Sequence, residues 1–574
     1  MHPSSITHDN KRVAAELLAY AVLQLFPNVT LVGGGVNKLG FFYDFIFSQP
    51  LPPDASSLIE VELRKVLKED HPIRFANMMR ENTENFFLHH SQPFLADRAR
   101  NEASNILELL QIRSFSGLCP SCDIQSTIEV APCIKILDLQ EKEIQFQEDS
   151  YGVIRFIGNC FTDQQELKKF SKQYERHRKK AGHLELGKEL NLFIQNSESN
   201  EIETIWMPKG EHLRLILQDW VKPYFTSRNV QFVSTPTLIK KSKNKLPEDS
   251  LRLNFKDQIY WLVSSRLQAH SEILQTQWKA KQALPIGVAE YGLSYKIQSD
   301  GDLDGVLSSH SIFADQMTLC CKREGAIKEI ISFLLFIEQI IKIFSFEARW
   351  YLVTSLGKGS KAKTEAEAVE KLIEAAQHCE FPFQTEKIEE EGIEGPRLEL
   401  RIVDKLQREW PCSTLTIVVH EIKILDFFKN QVKDKENLSE VPLLMTQSLW
   451  GSLDRFIALL IEHYEGHLPI WLAPEQIRIL VISKSAQSFA KHVLETCLEK
   501  GLRITADVRD IKLSEKVHDT GKEKIPLNVV IGENESNKKY LTVQDVHRSG
   551  KSQVLTLDRF LDKELLEIKC PVLK

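Results

Sequence analysis

Between residues 11 and 26 apolar side chains recur at helical spacing, with Leu17, Leu18, Ala21 and Leu25 along one side, which predicts an amphipathic helix. Gly33, Gly34, Gly35 and Gly40 break that pattern, and Phe41-Phe42-Tyr43-Asp44-Phe45 then reads as an alternating strand. Helix, glycine turn and aromatic strand open a domain expected to end near Phe161. From Asp163 to about Leu190 the chain is charged and reads as a linker helix. Residues from about 200 to 470 mix strand and helix signals, as a large antiparallel sheet with helical cover does. Within them Ile327–Phe344 is strongly apolar but broken by Lys328, Glu329, Glu338, Gln339 and Lys342, so it predicts a buried helix and not a membrane span. Beyond residue 471, Ile477–Ile482 is β-rich, and a helix follows with Phe489, Val493, Leu494, Cys497 and Leu498 on one face, ended by Gly501. Ile504–Val508 and Leu527–Ile531 come next, and strand, helix, strand at this spacing predicts a small parallel α/β domain.

A length of 574 residues exceeds one hydrophobic core and implies about three to five domains. Apolar residues make up 42% and charged residues 26%, which excludes disordered and fibrous classes. The opening MHPSSITHDNKR has no apolar core for secretion, and ten scattered cysteines lack framework spacing, so a cytoplasmic location is expected. A net charge of -6 does not advertise a nucleic-acid binder, yet a local basic face can still attract phosphates. Two basic runs stand out: Lys168, Lys169, Lys172, Arg176, Arg178, Lys179 and Lys180, and later Lys240, Lys241, Lys243 and Lys245. Taken alone, each reads as a solvated helix face or a charged loop.

Seven strings in order resemble threonyl-tRNA synthetases, a class II family. AAELLAYAVLQLFP (14–27) and GFFYDF (40–45) are similar to the opening of the family's editing domain, and LGKELNLF (186–193) to the hinge beyond it. QFVSTP (231–236) resembles motif 1, AEYGLSYK (289–296) the start of motif 2, and GSLDRF (451–456) motif 3. WLAPEQIRIL (471–480) resembles the entry to the anticodon-binding domain. The resemblance implies a multidomain α+β and α/β chain. It would have an editing-like domain at 1–162, a linker at 163–195, a class II catalytic domain with an antiparallel sheet at 196–470, and an anticodon-binding-like domain at 471–574. The family's small N-terminal TGS domain has no counterpart in these strings. A homodimer built through motif 1, tRNA as partner, and ATP with magnesium are implied in the same way.

Carried over position by position, the chemistry is altered. Activating an amino acid brings two anions together and needs fixed cations. The family's motif 2 arginine and glutamate fall on Lys296 and Gln298, and its second arginine on His310. A lysine keeps the charge without the planar fork of arginine. In motif 3 Arg455 retains the family's ATP-binding arginine, preceded by Asp454. The family's zinc ligands, one cysteine and two histidines, fall on Leu267, Thr318 and Thr446, so no zinc is expected. His270 and Asp315 persist at matching positions. The editing motifs, HxxxH and CxxxH, become Glu16, Tyr20, Cys119 and Asp123. Glu16 and Asp123 could converge as paired carboxylates, and Cys119 with Cys122 forms a CxxC that reads as free thiols. Arg509 in ADVRDIK (506–512) and Glu535 in GENE (532–535) match anticodon-reading positions, while a further family arginine becomes Gln544 with Arg548 nearby.

Scaffold strings survive while the ATP clamp, zinc triad and editing quartet change together. This pattern reads as a divergent paralogue that binds tRNA with impaired or lost threonylation. The alternatives are a threonine–tRNA ligase with a zinc-free site, and a regulatory subunit paired with a motif-intact synthetase through motif 1. A ligase for another amino acid and acceptor is the last.

Overall fold

The computed structural model describes residues 6–573 except 103, 148, 179, 197–202, 241–250, 257, 280–283, 297–303, 356–359, 389–393, 420–426, 429–440, 547–551 and 568–569. Lys179, Lys241, Lys243, Lys245, Gln298 and Arg548 lie outside the described residues.

The first helix, α1 (His8–Leu25), starts at a capping box in which the Thr7 hydroxyl and the Asn10 side chain satisfy each other's backbone N–H groups. It is buried on nearly all sides from Val13 to Val22 and forms the axis of the N-terminal core. Around it run β1 (Thr30–Asn37), β2 (Gly40–Ile46), α2 (Ala55–Lys68), β3 (Arg74–Met79), α3 (Arg80–His89), α4 (Pro93–Asn101), β4 (Ile106–Ile112), β5 (Phe115–Leu118), β6 (Cys133–Phe146) and β7 (Asp149–Phe161). They make an antiparallel sheet of order β1-β2-β7-β6 and a smaller one of order β3-β4-β5. Gly33, Gly34 and Gly35 do not end the pattern as expected; they lie inside β1. A Cβ on Gly34 would sit 2.2 Å from the Tyr43 ring across the ladder, so these glycines make room for the aromatic strand.

The charged stretch after β7 is two helices and not one, α5 (Gln164–Arg178) and α6 (His183–Glu189). Gly182, with extended backbone, caps α6, and a glycine there favours a break over continuation.

The middle of the chain contributes β8 (Phe193–Asn196), β9 (Glu203–Trp206), α7 (Pro208–Thr226), β10 (Val230–Phe232), β11 (Leu238–Lys240), β12 (Leu251–Phe255), β13 (Gln258–Leu262) and α8 (Leu267–Lys279). It continues through β14 (Ile286–Tyr295), β15 (Ser311–Cys321), α9 (Ala326–Phe344), β16 (Glu347–Ser355), α10 (Ser360–His378), β17 (Phe383–Ile388), β18 (Arg397–Val403), β19 (Glu409–Ile417), β20 (Leu443–Ser448) and α11 (Leu453–His463). Eight strands form one sheet, β10-β14-β15-β20-β19-β18-β16-β17, antiparallel except at its two edge pairs. Alternation divides its faces. Met317, Leu319, Leu400 and Leu415 join the apolar side of α9 and α11 in the main core, while Gln316, Thr318, Thr416 and Thr446 take the opposite, polar face. The apolar stretch expected to form a buried helix is α9, with Ile330, Phe333, Leu334, Ile337, Ile340 and Phe344 inside.

The C-terminal part folds as β21 (Ile477–Val481), α12 (Gln487–Glu499), β22 (Ile504–Asp507), α13 (Leu513–Lys522), β23 (Leu527–Ile531), α14 (Glu533–Lys538), β24 (Tyr540–Asp545), β25 (Ser552–Thr556) and α15 (Leu557–Glu567). Its sheet, β22-β21-β23-β24-β25, is mixed and not purely parallel, because β24 and β25 return antiparallel beside β23. Gly501 ends α12 with φ of 78°, but Leu498 faces solvent instead of the core. Among the described residues no helix is long and apolar enough to cross a membrane.

Candidate functional site

The polar face of the eight-stranded sheet collects the three positions at which the resemblance implies a metal. Thr318 lies opposite Val288 on one side and Thr446 on the other, so the two hydroxyls are neighbours on one face. Helix α8 packs over them. Its first residue, Leu267, is buried in a small apolar cluster with Leu274, Val288, Cys320 and Leu444. His270, one turn on, is fully buried, and its Nδ1 lies 2.9 Å from the Thr318 hydroxyl. Burial, with Arg266 nearby, pushes the His270 imidazole down to about 4, so the ring is neutral. The Thr446 hydroxyl donates to Glu394 at 3.3 Å, and Ser265 donates to the other oxygen of the same carboxylate at 2.8 Å. The three positions offer one alkyl group and two hydroxyls already hydrogen-bonded. Zinc requires thiolate, imidazole or carboxylate donors, so these residues do not fit it. Among the described residues no group of three His, Cys, Asp or Glu side chains could hold a metal. Glu394 and Arg266 carried no signal in the sequence, since each contributes only through a contact distant along the chain. Arg266 pairs with Glu290 at 2.6 Å, and Glu290 accepts the Thr235 N–H and hydroxyl at 2.7 and 2.9 Å, which fastens 231–236 to β14.

The expected phosphate cations lie beside the β14–β15 hairpin. Lys296 is exposed just past β14, and its N–H donates to the His310 carbonyl at 2.9 Å. Arg455 sits in the first turn of α11, whose N-cap Ser452 accepts the Arg455 N–H. Its guanidinium donates through Nε to the Leu307 carbonyl at 2.7 Å and through Nη1 to the Pro411 carbonyl at 3.1 Å. Arg455 thus fastens the segment leading into β15 to β19. Burial lowers its pKa from the ordinary arginine value. Next to it, buried Asp454 pairs with Arg214 of α7 and accepts the Phe313 N–H at 2.9 Å. Burial raises the Asp454 carboxyl against the pull of that arginine. Asp315 accepts the N–H groups of Leu449 and Trp450 at 2.5 and 2.8 Å and the Ser448 hydroxyl at 3.2 Å, tying β15 to the turn before α11.

The four editing-equivalent positions part company. Glu16 and Tyr20 lie one turn apart on α1 and are buried, as is Cys119. Asp123 is exposed, so the pairing of Glu16 with Asp123 is not formed; the chain leaves the core after Cys119. The Glu16 Oε2 atom is buried without a hydrogen-bond partner. A Cβ on Gly117 would come within 1.9 Å of it, so the carboxyl occupies the space above that glycine. Burial pushes Glu16 up to about 8, opposed by the Arg98 guanidinium. Burial and the neighbouring Glu16 also raise the Cys119 thiol, and burial raises Cys122, so both are thiols rather than reactive thiolates. Tyr20 packs its ring 5.9 Å from Phe115.

At the C-terminal end, Arg509 follows β22 and is half exposed. It bonds both Asp507 oxygens at 3.0 and 2.7 Å and Asp519 at 2.7 Å. It borders an open depression of about 410 Å³ with Ile511, Ser514, Glu515, His518 and Asp519. Glu535 accepts the Gly532 N–H and the Thr542 hydroxyl, both at 3.0 Å, and so also caps α14. Arg509 stands on the loop after β22 and Glu535 in the first turn of α14, each held by local partners.

A family model described as an anticodon binding domain matches residues 476–567. The threonine–tRNA ligase of Oleidesulfovibrio alaskensis is 26% identical over 560 residues, covering 96% of this chain and 85% of the relative. That of Maridesulfovibrio salexigens is 28% identical over 531 residues, covering 91% and 82%. Among solved structures, the RNA binding domain of threonyl-tRNA synthetase from Cryptosporidium parvum Iowa II superposes with a TM-score of 0.60 at 22% identity, covering 69% of this chain and all of that one. The prolyl-tRNA synthetase from Cryptosporidium parvum gives 0.50 at 10% identity, covering 67% and 77%, a likeness of fold alone.

Proposed function

We propose that this chain, which belongs to the threonyl-tRNA synthetase family, is a tRNA-binding member whose threonylation is impaired or lost. The observation that carries the reading is the pocket around His270, where an apolar side chain and two satisfied hydroxyls stand at the metal positions. None of those three side chains is the thiolate, imidazole or carboxylate that a metal distinguishing amino acids by direct ligation needs. Lys296 and Arg455 are the cations available to the phosphates of ATP and its magnesium, and Arg455 has two of its donors on backbone carbonyls. Removing a single electrostatic stabiliser costs about a hundred- to a thousand-fold in rate, so several changes together leave little turnover.

The anticodon-binding domain supports tRNA as the partner, with Arg509 and Glu535 as its base-reading pair. For assembly, the 231–236 string begins in the edge strand β10, which leaves Phe232 exposed. That edge suits a homodimer, or pairing with a motif-intact synthetase. We take the domain limits as 1–162, 163–195, 196–470 and 471–574.

The test is charging of unfractionated tRNA with labelled threonine, with and without added zinc, alongside a motif-intact synthetase. The expected result is no product above background in either condition and no zinc retained by the protein. Charging that depends on zinc would overturn the reading, and charging without zinc would establish a metal-free ligase instead.

A further inference from the structure

The turn that carries the chain out of the N-terminal core after β5 holds Cys119-Pro120-Ser121-Cys122, a motif with no part in the sites at the sheet face or in the C-terminal domain. Two thiols in one turn can be bridged only where the backbone holds both sulfurs on the same side. Here the backbone is held. The Cys119 N–H donates to the Glu108 carbonyl at 3.2 Å, which extends the β4–β5 ladder by one rung. Ser121 donates its N–H and its hydroxyl to the two carboxylate oxygens of the same Glu108, at 2.6 and 2.9 Å. Pro120 supplies a rigid φ between them, and its carbonyl accepts from Arg12 of α1 at 3.3 Å.

The same Arg12 guanidinium lies beside both sulfurs and opposes the effect of burial on each. Two thiols that share one turn and one guanidinium are neighbours. They differ in access. Cys119 is fully buried in the N-terminal core, with its thiol donating to the Pro120 carbonyl at 3.6 Å, whereas Cys122 is half-buried at the edge of that core. An accessible thiol beside a buried one lets the first meet a reagent and the second resolve the product. Cys320 and Cys321, the other close pair in the sequence, are consecutive and both buried.

We infer that Cys119 and Cys122 form a reversible disulfide by exchange with a small-molecule disulfide such as oxidised glutathione. Cys122 loses its proton to solvent, and its thiolate attacks one sulfur of the small disulfide and expels one glutathione thiolate. Cys119 then loses its own proton, attacks the Cys122 sulfur of the mixed disulfide and expels the second glutathione thiolate. The protein gives up two electrons and two protons, and the small disulfide takes them up as two thiols. Burial keeps both cysteines protonated near neutral pH, so the exchange speeds up as pH rises. Closing the bond staples the exit of the chain from the N-terminal core beside the start of α1, and reduction releases it. A disulfide that opens and closes in this way reads the thiol balance around the protein.

The experiment equilibrates the full chain in buffers of graded ratio of oxidised to reduced glutathione, quenches with acid, alkylates the free thiols and reads the peptide spanning 119–122 by mass spectrometry. The same series is run on the chain unfolded in denaturant. Wild type is expected to lose both alkylation sites together and to regain them with dithiothreitol. Its midpoint should fall at a ratio about tenfold or more lower when folded than when unfolded, because the held turn raises the effective concentration of Cys119. Cys119→Ser is expected to stop at the mixed disulfide on Cys122, and Cys122→Ser, at the core's edge, to leave buried Cys119 unmodified. Two free thiols at every ratio overturn the inference. Glutathione retained on Cys122 of wild type without closure also overturns it. So does an equal or higher midpoint in the folded chain, because sequence spacing and not the fold would then make the bond.

Discussion

A carboxyl at position 16 stands where the family resemblance supplies an imidazole, and its surroundings decide its protonation. Glu16 is buried above Gly117 with one oxygen unpartnered, and burial raises it from 4.5 to about 8. Between those values the unfolded chain ionises while the folded chain keeps its proton. The folded state then binds more protons than the unfolded one, so stability falls as pH rises from about 4.5 to about 8, with a limiting slope of about 1.4 kcal/mol per pH unit. Glu16→Gln removes the titration. Hydrogen-exchange protection of α1, corrected for intrinsic rates, should decline across this window in wild type and stay level in the variant. Parallel profiles in the two proteins would contradict the assignment. The sequence made Glu16 visible as a substituted site residue, but not its isolation. Whether Asp123 joins it depends on where the chain turns after Cys119, which no local pattern records.

At the scale of elements, α7 and α11, which share the core of the eight-stranded sheet, are joined by a buried ion pair. Arg214 of α7 reaches Asp454 at the start of α11, with its guanidinium 4.2 Å from the Trp206 ring and 4.9 Å from that of Phe313. Removing one partner strands the other charge in the interior, at a cost of about 3–5 kcal/mol, whereas removing both leaves only apolar space to fill. Arg214→Met is therefore expected to lower the denaturation midpoint read by tryptophan fluorescence, and the double variant with Asp454→Asn to recover most of the loss. Equal destabilisation in single and double variants would show that packing of the arginine stem, and not charge pairing, holds the joint. Elements themselves were legible where periodicity was strong. Helix α9 and the β21–α12–β22 unit follow from the spacing of their apolar residues. The glycines of β1 misled because a glycine run marks a turn in isolation and a close aromatic approach in a sheet. The antiparallel return of β24 and β25 was missed because short, half-polar strands carry little alternation.

At the scale of the whole molecule, the domains are fastened to one another through α7. Lys209 at the start of α7 bridges Glu475 and Glu523 at 2.9 Å each, and Trp220 donates to the Pro571 carbonyl at 2.8 Å, so the C-terminal domain and the chain's end are both fastened to α7. Two of the strings that carried the resemblance are scaffold of this kind, with Thr235 on Glu290 and Asp454 on Arg214. They were legible because they are contiguous, whereas the polar contacts at the carried-over zinc positions, His270 with Thr318 and Ser265 and Thr446 with Glu394, join segments far apart in the chain. On the proposed reading this scaffold does not support threonine activation. The decisive measurement is threonine-dependent exchange of pyrophosphate into ATP, with a motif-intact synthetase as control. No exchange above background is expected; exchange that appears in wild type and vanishes in Arg455→Ala would overturn the proposal.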